Sequence, residues 1–151
     1  LLPFLREVKG LGLLVKLDTN GLAPAVLEKA LAEKLIDHLA LDLKTAPQRY
    51  GELHRGPVDP SALGRSIDLV LAAGVEYELR TTCVPGLVEE SDIHALGELA
   101  RGARKWVLQQ YQPRHALTEE LQVLEPHPAE TIHSFAELAR GYVDEVGVRG
   151  L

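Results

Sequence analysis

The sequence predicts an α/β fold built from parallel βα units. Three observations predict it. Short apolar runs of strand length alternate with amphipathic helical segments along the chain. The first four strand starts lie roughly 26 to 36 residues apart, the length of a βα unit with its crossover. The helical segments are bounded by prolines, capping side chains or glycines. Regular alternation of this kind gives a parallel sheet with right-handed crossovers, either an open doubly wound sheet or part of a barrel.

The elements follow in order. Leu2–Val8 has apolar residues at helical spacing and ends at Gly10 and Gly12. Leu13–Leu17 is a strand-length apolar run. Pro24–Leu35 is helical, with Val26, Leu27, Leu31 and Leu35 on one face and Glu and Lys opposite. Leu39–Leu43 reads as the second strand. Asp59 and Pro60 supply an N-cap and a first-turn proline for a helix through Ala73, which Gly74 stops. Val75–Val84 is a long strand before the Pro85-Gly86 turn. A helix capped near Ser91 runs to about Arg101 and stops at Gly102. Lys105–Tyr111 is the fourth strand. A polar stretch follows, then a helix over Pro128–Ala139, and Val146–Val148 reads as a last short strand.

Length and composition bound the possibilities. The chain has 151 residues, 46% hydrophobic and 25% charged, with net charge −6. Residues 1–151 therefore suffice for one domain, burying about 70% of the unfolded surface. No apolar run approaches the roughly 18 residues of a membrane span, and no signal-peptide pattern opens the chain. The acidic balance argues against nucleic acid as the main partner. The single cysteine, Cys83, excludes an internal disulfide and a multi-cysteine metal site made by this chain alone. There is no methionine, and Leu1 falls inside a helical pattern, which suggests a polypeptide that is not a complete gene product or one with an unusual start.

Ligands of parallel α/β folds bind at the carboxyl ends of the strands. Those ends are polar here: Asp18-Thr19-Asn20-Gly21, Asp42-Leu43-Lys44, Arg80 and Thr82, and Gln109-Gln110-Tyr111-Gln112. Alternation puts Leu39, Leu41 and Leu43 under helices, so Ala40, Asp42 and Lys44 share the other face. The same parity turns Glu76, Glu78 and Arg80 inward and groups Asp18 with Leu14 and Lys16. A concave face bearing carboxylates, an ammonium and a guanidinium suits a zwitterionic ligand. The competing reading is an internally satisfied ion-pair network with no ligand. Asp18 and Asp42 could also offer oxygens to a cation. Asp18–Gly21 taken alone reads equally as a turn.

Other patterns carry less. Gly10 and Gly12 follow a helix and make no dinucleotide loop. The six histidines show no ligand spacing, Cys83 reads as a buried inert thiol, and Trp106 as core. Tyr50 and the Gly51–Pro57 stretch read as a surface loop over the strand ends, available to a substrate.

In this setting the motifs become recognisable. Val15–Gly21 resembles the "LDTNG" strand of radical S-adenosylmethionine activating enzymes, and Ile36–Lys44 resembles their "D-x-x-x-x-D-x-K" strand. Tyr50, Glu78–Thr82 with Val84-Pro85-Gly86, Leu108–Pro113 and Val148-Arg149-Gly150 fit the same family in order. The set looks most like the activating proteins of anaerobic ribonucleoside-triphosphate reductase, with pyruvate formate-lyase activating enzymes as close relatives. The resemblance covers nearly the whole chain. It implies the C-terminal two-thirds of a partial (β/α)6 barrel, an oxidoreductase that holds a 4Fe–4S cluster and S-adenosylmethionine at the strand ends. The reduced cluster cleaves S-adenosylmethionine, and the resulting radical takes hydrogen from a glycine of a partner glycyl radical enzyme. It also implies a flavodoxin or ferredoxin electron donor and a cytoplasmic setting. By the same resemblance, Asp18, Thr19, Asn20, Asp42, Lys44, Arg80 and Gln112 border S-adenosylmethionine, and Asp18, Thr19 and Asp42 surround a monovalent cation. Gln112 stands where pyruvate formate-lyase activators place a ligand-contacting histidine.

The sequence also departs from the pattern. The family's CxxxCxxC loop and Gly-Gly-Glu motif are not in it, and Leu1–Leu5 looks like the helix after the Gly-Gly-Glu strand. A cluster needs three thiolates, so this chain alone is expected to be inactive. Two further readings stand beside the first: a cluster-free homologue that binds a nucleoside ligand or a partner, and an unrelated α/β enzyme with Asp42 and Lys44 as an acid–base pair. An exposed edge on the first strand is expected to be covered by a second copy.

Overall fold

A computed structural model describes residues 1–54 and 56–151. Arg55, inside the Gly51–Pro57 stretch, lies outside the described residues. The elements run α1 (Leu2–Gly10), β1 (Lys16–Thr19), α2 (Pro24–Ala32), β2 (His38–Asp42), α3 (Pro60–Ala72), β3 (Glu76–Cys83), α4 (Glu90–Ala100), β4 (Lys105–Gln110), α5 (Glu119–Gln122), α6 (Ala129–Ala139) and β5 (Glu145–Arg149). All strand pairs are parallel, and the sheet order is β1-β2-β3-β4-β5. The order never reverses. A doubly wound sheet reverses at its switch point, so the open alternative is removed and the architecture is that of a partial barrel. Right-handed crossovers that all step the same way leave the helices on one side. Accordingly α2 packs on α3, α3 on α4, and α4 on α6.

The helix-facing side holds the core. Leu39, Leu41, Leu79, Trp106 and Leu108 are fully buried there, with Ile67, Ile93 and Ile132 reaching them from α3, α4 and α6. Trp106 keeps its indole N–H satisfied by donating to Thr81 Oγ1 at 3.0 Å. Cys83 is also in the core, and burial pushes its thiol up to about 12.

Several boundaries differ from those the sequence suggests, each for a local reason. β1 begins at Lys16, because Leu13 and Leu14 are 55% and 82% exposed and precede the paired register. α2 ends at Ala32, and Lys34 takes a left-handed φ of 54° that turns the chain into β2. The cap of α4 is Glu89, not Ser91. Its carboxylate accepts from the backbone of Asp92, while the buried Asp92 carboxylate accepts from Glu89 N at 2.9 Å. Tyr50 is not a surface contact. It lies in a 3₁₀ turn, Pro47–Glu52, is buried, and its hydroxyl accepts the Lys44 N–H at 3.0 Å. Within the polar stretch after β4 the structure adds a 3₁₀ turn, Pro113–His115, and the one-turn α5.

Candidate functional site

Strand parity sets the site. The residues that do not point to the helices form one polar face: Asp18 on β1, Asp42 at the end of β2, Glu78 and Arg80 on β3, Gln109 on β4 and Arg149 on β5. Arg80 is the hub. Its Nε and Nη2 reach Asp42 Oδ1 at 2.9 and 2.8 Å, and its Nη1 reaches Asp18 Oδ2 at 2.9 Å. Lys44 approaches Asp42 at 3.5 Å and Lys16 approaches Asp18 at 3.6 Å. The Arg80 side chain is 14% exposed, whereas Asp18 and Lys44 are 51% and 45% exposed. The cluster is thus a paired network that still opens to solvent at Asp18 and Lys44.

Electrostatics follow from this packing. Burial pushes the Asp18 carboxyl up, but the hydrogen bond and charge of Arg80, with the charge of Lys16, outweigh it and hold it below the usual carboxylate range. Burial pulls the Arg80 guanidinium down, and Asp42 and Asp18 outweigh that, so its pKa is raised. Both groups therefore stay charged at neutral pH.

A second pair lies beside the hub. Arg149 donates to both oxygens of Glu78 at 3.1 and 2.7 Å. Arg149 is level with Thr82 and Gln109, so its side chain runs back past Val107 and Gly147, which place no long side chain in its way. The Arg149 hydrogen bonds outweigh the desolvation of Glu78 and keep its carboxyl below its ordinary value. Sequence reading placed Glu78 on this face and noticed Arg149, but did not join them.

The first turn is fixed by its own backbone. Thr19 Oγ1 accepts from Gly21 N at 3.2 Å and Asn20 Oδ1 from Leu22 N at 3.1 Å. Thr19 pairs with Leu41, so its side chain belongs to the helix-facing parity, while Asp18 belongs to the polar face. Gly21 has φ 74°, and a Cβ there would meet Leu41 Cδ1 at 2.8 Å and Leu63 Cδ1 at 3.1 Å. Its carbonyl accepts from Ser66 Oγ at 2.6 Å. Only glycine lets the turn lie this close to α3.

Two clefts open over the strand ends and share Thr82 and Val84. The smaller, about 110 Å³, is lined by Asp42, Lys44 and Arg80. The larger, about 460 Å³, is lined by Gln109, Gln110, Gln112, His115 and Arg149. Gln112 thus belongs to the second cleft, where its Nε2 lies 3.5 Å from the Gly150 carbonyl. The strand ends therefore offer cations, carboxylates and side-chain amides in two adjoining clefts, a donor set for a zwitterionic ligand with hydroxyl or amine groups. Among the described residues no group of three or more His, Cys, Asp or Glu converges as a metal site. Nor is any helix of the described residues long and apolar enough to cross a membrane.

No family model matches the sequence. The chain is 34% identical over 149 residues to a Methanocaldococcus jannaschii protein named "Putative glycyl-radical enzyme activating enzyme MJ1227". That match covers 95% of this chain and 62% of the relative, so the chain spans under two-thirds of the relative's length. Among solved structures, a domain of pyruvate-formate lyase-activating enzyme from Bacteroides vulgatus superposes with TM-score 0.68, at 18% identity. That match covers 98% of this chain and 88% of the other. The second likeness is one of fold.

Proposed function

We propose, for a chain that is a relative of the radical S-adenosylmethionine activating enzymes, that its polar face holds S-adenosylmethionine in an intact protein that generates a glycyl radical on a partner enzyme. The observation that carries this is the Asp18–Arg80–Asp42 network with Lys44 at its solvent side. S-adenosylmethionine carries a carboxylate, an ammonium, a sulfonium and ribose hydroxyls. Lys44 and Arg80 fit the carboxylate, and Asp18 and Asp42 fit the cationic groups and hydroxyls. Gln112, which lines the larger cleft, and Asn20, which follows β1 in the first turn, are proposed to bound the ligand. Asp18 and Asp42, with Thr19 through its backbone carbonyl because its side chain is on the opposite parity, are further proposed to border a monovalent cation, which would share the carboxylates with Arg80.

When bound, S-adenosylmethionine would supply the radical: one electron from the donor protein proposed below would break a carbon–sulfur bond to give methionine and a 5′-deoxyadenosyl radical, which would take hydrogen from the partner's glycine, while this chain's residues would hold and orient the ligand. A 4Fe–4S cluster does not fit the residues of this chain: it has one cysteine, and Cys83 is buried with its thiol held neutral. No step is therefore assigned to a cluster here. The chain is proposed to supply the C-terminal two-thirds of the barrel, binding and orienting S-adenosylmethionine, and to be inactive alone. Anaerobic ribonucleotide reductase is the partner proposed, with flavodoxin or ferredoxin as electron donor. The free edge of β1 is where a second copy would pair. A second reading is a cluster-free protein that binds a nucleoside ligand or a partner through the same face.

Calorimetric titration of the chain with S-adenosylmethionine tests the core of this reading. Binding that falls at least tenfold in Lys44→Ala supports it; no heat with the native chain overturns it. Radical formation on the partner, read by electron paramagnetic resonance with the full-length protein, then separates the enzyme from the cluster-free binder.

A further inference from the structure

The connection from β4 to α6 is far longer than the about two to six residues usual in α/β units. Part of it, Gln112–Pro128, forms a strap over the carboxyl end of the sheet. The strap is tied down at several points. Tyr111 donates its hydroxyl proton to the Leu121 carbonyl. Gln110 Nε2 donates to the His127 carbonyl at 2.9 Å, and the His127 ring lies 3.0 Å from the Val88 carbonyl. Its inner side, through His115 and Ala116, walls the larger cleft.

The outer side is different. Thr118 caps the single turn of α5, and Gln122 Nε2 closes back on the Ala116 carbonyl at 3.0 Å. The residues next to that closure, Leu117 and Val123, are 97% and 84% exposed. Glu119, Glu120 and Glu125 are exposed in the same stretch. The strap's basic groups are elsewhere: Arg114 Nε donates to His115 Nε2 at 3.1 Å, on the cleft side. Leu117 and Val123 thus flank the α5 turn as bare aliphatic side chains, in a stretch whose charged residues are all acidic from Leu117 to Pro126 and which follows the two strap residues that wall the cleft.

We propose that this patch docks the polypeptide partner, through an apolar pocket on the partner edged by lysine or arginine. The inference rests on the reading that the site acts on a protein substrate, and names where that substrate is gripped. Charge complementarity argues for a basic rim, since the two exposed carboxylates of α5, Glu119 and Glu120, and Glu125 just beyond it repel an acidic surface. Position argues for the substrate, because His115 and Ala116, immediately before Leu117, wall the larger cleft.

The test uses the full-length protein and a glycyl-radical enzyme purified from the same cells. Leu117→Asp with Val123→Asp weakens their association roughly tenfold or more. Glu119→Lys, Glu120→Lys and Glu125→Lys together slow association and flatten its salt dependence. Both variants bind S-adenosylmethionine like the parent, and the milder Leu117→Ser checks that folding is not the cause. Unchanged association with the partner in both variants overturns the proposal, as does an effect confined to self-association in sedimentation. Failure of the parent itself to bind any glycyl-radical enzyme overturns the underlying reading instead, and is distinguishable because no variant is involved.

Discussion

Arg149 on the last strand reaches past β4 to hold Glu78 on β3, through hydrogen bonds of 3.1 and 2.7 Å. The Glu78 side chain is 8% exposed, so this carboxylate has little water to fall back on. The pair ties β5 to the middle of the sheet without using the ladder between them.

Arg149→Ala is therefore expected to destabilise the chain by roughly 1–3 kcal/mol at neutral pH, because it strands a buried carboxylate. Glu78→Gln costs less. The folded-state pKa of Glu78 is depressed, so its contribution is present above the ordinary carboxylate range and is lost as pH falls through the folded value. The stability gap between parent and Arg149→Ala, measured by urea unfolding, narrows on acidification. A gap that stays constant from neutral to acid pH contradicts this.

Arg80→Ala removes the cation that Asp18 and Asp42 share. The Asp18 carboxyl then moves up toward the ordinary range, since the group that outweighs its burial is gone. Carbon-detected NMR titration of the carboxyl reads this directly. Binding of S-adenosylmethionine falls at least tenfold, while Arg80→Lys, which keeps charge but not the fork, recovers only part of it.

Gly21→Ala strains the turn below the site. The left-handed φ of 74° and the 2.8 Å approach to Leu41 Cδ1 act together. Unfolding experiments are expected to show a loss of about 1–3 kcal/mol. The same substitution at Gly10, where nothing lies within 4 Å of an added Cβ, is expected to be near neutral.

Cys83 is fully buried with its thiol pushed up to about 12. Alkylation by iodoacetamide near neutral pH is expected to proceed only at the rate of unfolding. Rapid modification of the folded chain would show the strand end to be more open than its packing implies.

How much of this was legible in the sequence depends on range. The strands were legible because their two faces differ chemically: Leu39, Leu41 and Leu43 on one parity, Asp42 and Lys44 on the other. Arg80 could be assigned to the polar face in the same way. Leu13 and Leu14 misled because hydrophobicity alone marks a strand, whereas pairing starts only at Lys16. Ser91 is an ordinary cap, but Glu89 wins because Asp92 can answer it from the buried side. Tyr50 sat among loop residues, and only the fold brings its hydroxyl to Lys44 N. The pairing of Glu78 with Arg149 was out of reach, since the two lie 71 residues apart and two strands away. Neither periodicity nor spacing announces α5, a one-turn helix.

The unreversed strand order has an evolutionary consequence. With α2, α3, α4 and α6 on one side, the sheet separates two sets of positions: Leu39, Leu79 and Trp106 pack the core, while Asp18, Asp42, Arg80 and Arg149 form the polar face. Because neighbours along a strand fall in different sets, the polar face can be rewritten one residue at a time while the hydrophobic side stays constant. An architecture of this kind can exchange one ligand for another by drift, without passing through an unfolded intermediate sequence.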